Sequence, residues 1–190
     1  MARTRVPKRS KKSLNVAHID LVQTNIAMRA ISASTLRNQG APGMVSKART
    51  YLARLDLNKF RVRSAAAFRA LLDGQTTELA NAFPANGQGN WGAARKALNI
   101  FLRDVVESRS LCEQYQLQDI EPWLEVPLDA DVARPLCYGW PGVRHLTPEI
   151  SDEYQVLASI LTEMLGYSRV ALDLYLWRAD QNKTLQNNQV

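Results

Sequence analysis

The chain has 190 residues, 46% of them hydrophobic and 22% charged, with 24 Lys and Arg against 18 Asp and Glu for a formal charge of +6. That length suits one domain or two small lobes sharing a core, and the composition is that of a folded protein rather than a disordered one. Two cysteines and two histidines exclude a disulfide scaffold and a four-thiolate iron–sulfur cluster and speak against a metal site. No apolar run reaches the roughly 20 residues of a membrane span, and the start lacks the apolar stretch of a secretory signal. The expectation is a reducing, intracellular compartment, no membrane contact and no cofactor.

In chain order, the charge is strongly polarised. Residues 1–12 hold six bases and no acid and read as a disordered basic tail that adds non-specific affinity. Residues 13–69 carry nine bases against two acids, and residues 70–190 carry nine against sixteen. A basic third on an acidic body is the electrostatic footprint of a polyphosphate partner, with affinity falling steeply in salt. Solvated helix faces and a solubilising arm would account for the same charges.

Ser13 opens a helix over 14–34, striped by Leu14, Ala17, Leu21, Ala27 and Ile31 and widened by Val16, Ile19, Val22 and Ile26. The polar stretch Thr35 to Gly43 breaks it, and a second helix runs from Met44 to Leu55. Asp73-Gly74 is expected to split the next segment into two short helices, 64–72 and 75–83. After the loop Pro84-Ala-Asn-Gly-Gln-Gly-Asn90, a strong helix runs from Gly92 to residue 110 on Leu98, Phe101, Leu102, Val105 and Val106. Residues 115–128 contain Pro122, Trp123 and Pro127 and are expected to be irregular, and a short helix follows from Asp129 to Tyr138-Gly139. Thr147-Pro148 is a capped helix start, Gly166 its stop, and a last helix covers 169–179 before a frayed end at 181–190. No run alternates as a half-buried strand does. The fold class is all-α, in one domain over residues 13–180.

The helix, loop and helix of residues 75–110 hold the candidate chemistry. Backbone N–H groups at such a hairpin can grip a phosphate without reading sequence, which makes Gly89, Gly92 and Arg95 candidate DNA contacts. Lys96 follows Arg95 in the first turns of the second helix. A positive helix end, a neighbouring guanidinium and partial burial all disfavour an ammonium ion, and an amine of lowered pKa is what Schiff-base chemistry needs. An exposed helix lysine fits the same pattern.

The hairpin with Arg95-Lys96-Ala97-Leu98-Asn99 resembles the helix-hairpin-helix DNA glycosylases, in which a lysine at this place attacks the sugar. Two further segments are similar to the archaeal-type 8-oxoguanine DNA glycosylases: Val126-Pro-Leu-Asp129-Ala-Asp131-Val132-Ala133-Arg134, and Leu172-Asp173-Leu-Tyr-Leu176-Trp177. The three occur in the family's order. The chain departs from the pattern in lacking Gly-x-Gly directly before the lysine's turn and in carrying Asp131 where a histidine is common, and residues 1–70 match poorly.

The resemblance implies a bundle of two small helical lobes around a cleft, and a monomer that excises a damaged purine, 8-oxoguanine first, from double-stranded DNA in the nucleoid or a nucleus. Lys96 would form the imine, and Asp129 would stabilise the cationic sugar and shuttle protons, or simply cap its helix. Asp173, Trp177 and Trp91 would form the base pocket, although Asp173 and Trp177 also read as a helix-surface aspartate and a half-buried tryptophan, and Trp91 could instead brace the hairpin. Arg37, Asn38 and Gln39, in the turn that ends at Gly40, would fill the gap left by the extruded base, and Lys47 and Arg49 would contact phosphates nearby. Two other functions suit the same residues: a non-catalytic helical DNA-binding module, and a nuclease component of a defence or mobile-element system.

Overall fold

Eight consecutive residues, Gly92 to Asn99, are all buried, so the helix that carries them runs through the middle of the protein rather than along its surface. A computed structural model describes residues 11–39 and 42–176. The basic tail over 1–10, Gly40, Trp177 and the C-terminal segment 181–190 lie outside the described residues. The helices are α1 (Lys11–Ala30), α2 (Met44–Ala53), α3 (Ala65–Ala82), α4 (Trp91–Glu107), α5 (Arg109–Tyr115), α6 (Ala130–Leu136) and α7 (Pro148–Leu165). A further helix, α8, begins at residue 172. Short 3-10 turns fill several connections, and no strand occurs among the described residues. The fold is all-α. No helix among these residues is long and apolar enough to cross a membrane.

Helix starts follow their caps. Ser64 accepts from the Ala67 amide at 3.2 Å to open α3, and Thr147 accepts from Ile150 at 3.3 Å to open α7 with Pro148 in its first turn. Gly166 closes α7 in the left-handed conformation, φ 72°. Three expectations change. Asp73-Gly74 does not split α3: Gly74 is exposed, its helical cost is only about 1 kcal/mol, and Asp73 is held by Arg69 and Arg95. The long helix ends at Glu107, and α5 starts after Ser108. The first helix begins at Lys11 and buries Ile19, Gln23, Ile26, Ala27 and Ala30, leaving Val16 and Leu21 exposed. Gln23 tolerates burial because its Nε2 donates to the carbonyls of Leu52, in the last turn of α2, and Leu55, just past its end, at 3.0 and 2.8 Å.

Two apolar cores result. The larger joins α1 to α5 around Phe60, Phe68, Leu79, Leu98 and Phe101; the smaller holds Val126, Leu128, Val132, Leu146, Tyr154 and Leu172. Gly92 marks a close approach of the two. A Cβ there would run into the Val143 carbonyl oxygen and meet Leu146 Cβ at 2.8 Å. Gly92→Ala is therefore expected to cost about 1–3 kcal/mol by overpacking, a fall of roughly 2–12 °C in Tm. Thermal unfolding followed by circular dichroism measures it.

Candidate functional site

Asn90 builds the entrance to α4. Its Oδ1 accepts from the Ala93 amide at 3.0 Å, and its Nδ2 donates to the Gln39 carbonyl at 2.6 Å. One side chain thus caps the helix that bears Lys96 and ties the hairpin to the turn over 33–39. Asn38 in that turn adopts φ 59°, a left-handed geometry that asparagine accepts more readily than most residues.

Lys96 and Asp129 meet. The Lys96 side chain is only 10% exposed, and its Nζ lies 3.1 Å from Asp129 Oδ2. Asp129 Oδ1 meanwhile accepts from the Asp131 and Val132 amides, at 3.0 and 3.1 Å, and so caps α6. Capping and pairing with lysine are therefore not alternatives: one oxygen fixes the carboxylate's orientation and leaves the other facing the amine. Both residues line a cleft of about 650 Å³ together with Arg29, Arg37, Arg103 and Asp173. An adjoining cleft of about 470 Å³ shares Arg37, Lys96 and Asp129 and continues past Gln39 and Arg134 to Trp140.

Asp173 sits in the first cleft and is ion-paired with Arg103, which also holds Asp104 at 3.1 Å. Burial pushes the Asp173 carboxyl above its ordinary range, and Arg103 pulls it back part of the way. Arg103 lies in none of the three motif segments, yet it follows Lys96 by seven residues, two turns along the same helix face. That spacing was the available signal for it.

Several expected contacts sit elsewhere. Arg95 is 1% exposed and points into the interior, where Glu125, Asp73 and Thr76 hold its guanidinium, so it is not open to a DNA phosphate. Gly92 is buried beneath residues 143–146 and is no surface contact either. Gly89 remains exposed with open space around it, but its amide donates to Ala80 O, and those of Gly87, Asn90 and Trp91 also donate within the protein. Those four amides are therefore not free to hold a phosphate. Trp91 packs against the smaller core with Arg95 over its ring at 5.0 Å, and it lines neither cleft: it braces the hairpin instead of walling a base pocket. Lys47 is exposed as expected, whereas Arg49 donates Nε to the Ile31 carbonyl at 2.7 Å and is partly committed to holding the end of α1. Trp177 cannot be placed, being outside the described residues.

An amine and a carboxylate one hydrogen bond apart in a half-enclosed cleft place a potential nucleophile beside a potential proton acceptor. Arg29 and Arg37 beside them supply cations of the kind that position phosphates. No group of three or more His, Cys, Asp and Glu arranged for a metal occurs among the described residues. Compared with known proteins, the chain matches no family model, no curated protein and no solved structure.

Proposed function

We propose that this chain is a DNA glycosylase with AP lyase activity, a monomer that excises a damaged purine from duplex DNA through Lys96, with 8-oxoguanine the first candidate. The observation that carries the reading is the 3.1 Å contact between Lys96 Nζ and Asp129 Oδ2 within a cleft bordered by arginines. The order of α3, hairpin, α4 and the capped start of α6 supports the helix-hairpin-helix arrangement of such enzymes.

In this mechanism the damaged nucleotide leaves the stack and enters the cleft. Asp129 takes a proton from Lys96, whose Nζ lone pair then bonds to the anomeric carbon. The glycosidic bond breaks, and its electron pair departs with the base, which takes up the proton that Asp129 accepted. Asp129 takes a second proton from the nitrogen, whose lone pair expels the ring oxygen to give a protonated imine, and that proton passes to the ring oxygen. Asp129 then takes a proton from the adjacent carbon, and the freed electron pair expels the 3′ phosphate. Asp173 would accept from the purine edge while Arg103 keeps it oriented. Arg37, Asn38 and Gln39 would occupy the vacated position in the duplex. A nucleoid or nuclear location follows from such a substrate.

Borohydride trapping tests the reading on duplexes carrying 8-oxoguanine, uracil or an abasic site. A covalent adduct on the 8-oxoguanine duplex, with release of the base, is the expected result; no excision and no adduct on any of the three overturns it. An ion pair like Lys96–Asp129 also serves as a structural tie in a non-catalytic DNA-binding module, which predicts duplex binding without excision. Affinity is expected to fall with salt by a log–log slope of about −0.9 per phosphate contact, and Arg37→Ala to reduce that slope by about one. Fluorescence anisotropy across a salt series measures both.

A further inference from the structure

Residues 124–129 link the last 3-10 turn before them, Gln118–Trp123, to α6, and the link belongs to no helix. Yet Leu124 through Leu128 are all buried. A buried segment without regular backbone pairing must satisfy its polar groups some other way, and here side chains do so from several elements. Arg169 donates Nη2 to the Trp123 carbonyl at 3.0 Å and Nε to that of Leu124 at 2.9 Å. Gln155 on α7 takes both backbone groups of Val126, accepting from N at 3.0 Å and donating to O at 2.8 Å. Glu125, 3% exposed, receives a two-pronged contact from Arg95 at 2.8 and 2.9 Å, a third from Asn99 at 3.1 Å and a fourth from Arg69 at 2.9 Å.

We infer that this clamp is a positioning device for the Lys96–Asp129 pair, with Arg95, Glu125 and Gln155 as its positioning residues; the inference rests on the function proposed above. Arg95 and Asn99 flank Lys96 on α4, and Glu125 stands four residues before Asp129 on a strap with few internal ties of its own. The Arg95–Glu125 fork therefore sets the distance between the helix carrying the amine and the segment carrying the carboxylate. Fork geometry supplies directionality that an apolar contact lacks. A buried ion pair adds little stability beyond what well-packed apolar residues of similar volume provide. Placement, by contrast, matters greatly to a reacting pair, since a shift of about 1 Å can cost on the order of 100-fold in rate.

The test separates placement from stability. The double variant Arg95→Met/Glu125→Leu removes both charges together, and Gln155→Met releases Val126 without touching a charge. For each, the melting temperature, the affinity for an abasic-site duplex, the single-turnover rate of borohydride-trapped adduct and a crystal structure are compared with wild type. The expected result is a folded protein with wild-type affinity, an adduct rate lower by about 10–100-fold, and an Asp129 carboxylate displaced from Lys96. A folded variant of either kind that traps at the wild-type rate, or keeps the 3.1 Å contact, overturns the inference. Should the double variant fail to fold, Gln155→Met decides alone, and Asn99→Leu replaces the double variant if both fail. Failure of the functional reading looks different: wild type itself then traps nothing, while the crystallographic displacement of Asp129 still reports on the clamp.

Discussion

On the proposed function, Lys96→Gln is expected to abolish the borohydride-trapped adduct and to lower base excision by on the order of 10⁴–10⁶-fold, as removal of a nucleophile does in enzymes with covalent intermediates. The glutamine keeps most of the side-chain volume, so the fold is expected to survive and duplex affinity to fall only by the share of one cation among several. Single-turnover excision on an 8-oxoguanine duplex, with and without borohydride, measures the effect. A variant that still forms adduct moves the nucleophile elsewhere. Excision that persists without adduct makes the enzyme a monofunctional glycosylase using water, with Asp129 as its base.

Asp129→Asn carries the second largest effect and divides the two duties of this side chain. Asparagine caps a helix as well as aspartate does, so the bonds from the Asp131 and Val132 amides have an equivalent acceptor and α6 keeps its start. The oxygen 3.1 Å from Lys96 Nζ becomes part of a neutral amide that can neither take the ammonium proton nor stabilise a cationic sugar. Excision is expected to fall by about 10²–10⁴-fold with Tm nearly unchanged. Asp129→Ala loses the cap as well, about 1 kcal/mol more in stability. Equal excision by wild type and Asp129→Asn would reduce Asp129 to a cap.

The legible parts of the fold were those written in neighbouring residues. Thr147-Pro148 and Gly166 bound α7 as their chemistry dictates, and the Pro-rich run at 115–128 stays largely outside α-helix. The exceptions share a cause. Asp73-Gly74 has the residues of a break, but a glycine penalty of about 1 kcal/mol is small beside the packing of an 18-residue helix whose Asp73 is tied by two arginines. In α1 ten apolar positions competed for one face, and packing against α2, α4 and α5 chose Ile19, Ile26, Ala27 and Ala30.

The candidate site divides in the same way. Asp129 as a cap is local information, since an aspartate two and three residues before the first amides of a helix serves them wherever it occurs. Arg95 beside Lys96 looked like a second surface cation. Its burial depends on Glu125, 30 residues further on, because an arginine goes inside only where a carboxylate meets it. Arg103 was legible in principle from its spacing, but its pairing with Asp173 crosses 70 residues.

By itself, the sequence determined the all-helical class, the basic first third and the helix caps, because charge, periodicity and capping act over a few residues. The tertiary structure alone decided which charges face inward, which glycine packs against a neighbouring turn, and that Lys96 and Asp129 share a cleft. Each of those depends on contacts between residues far apart in the chain, where burial makes an unpaired charge costly and a misplaced methyl destabilising.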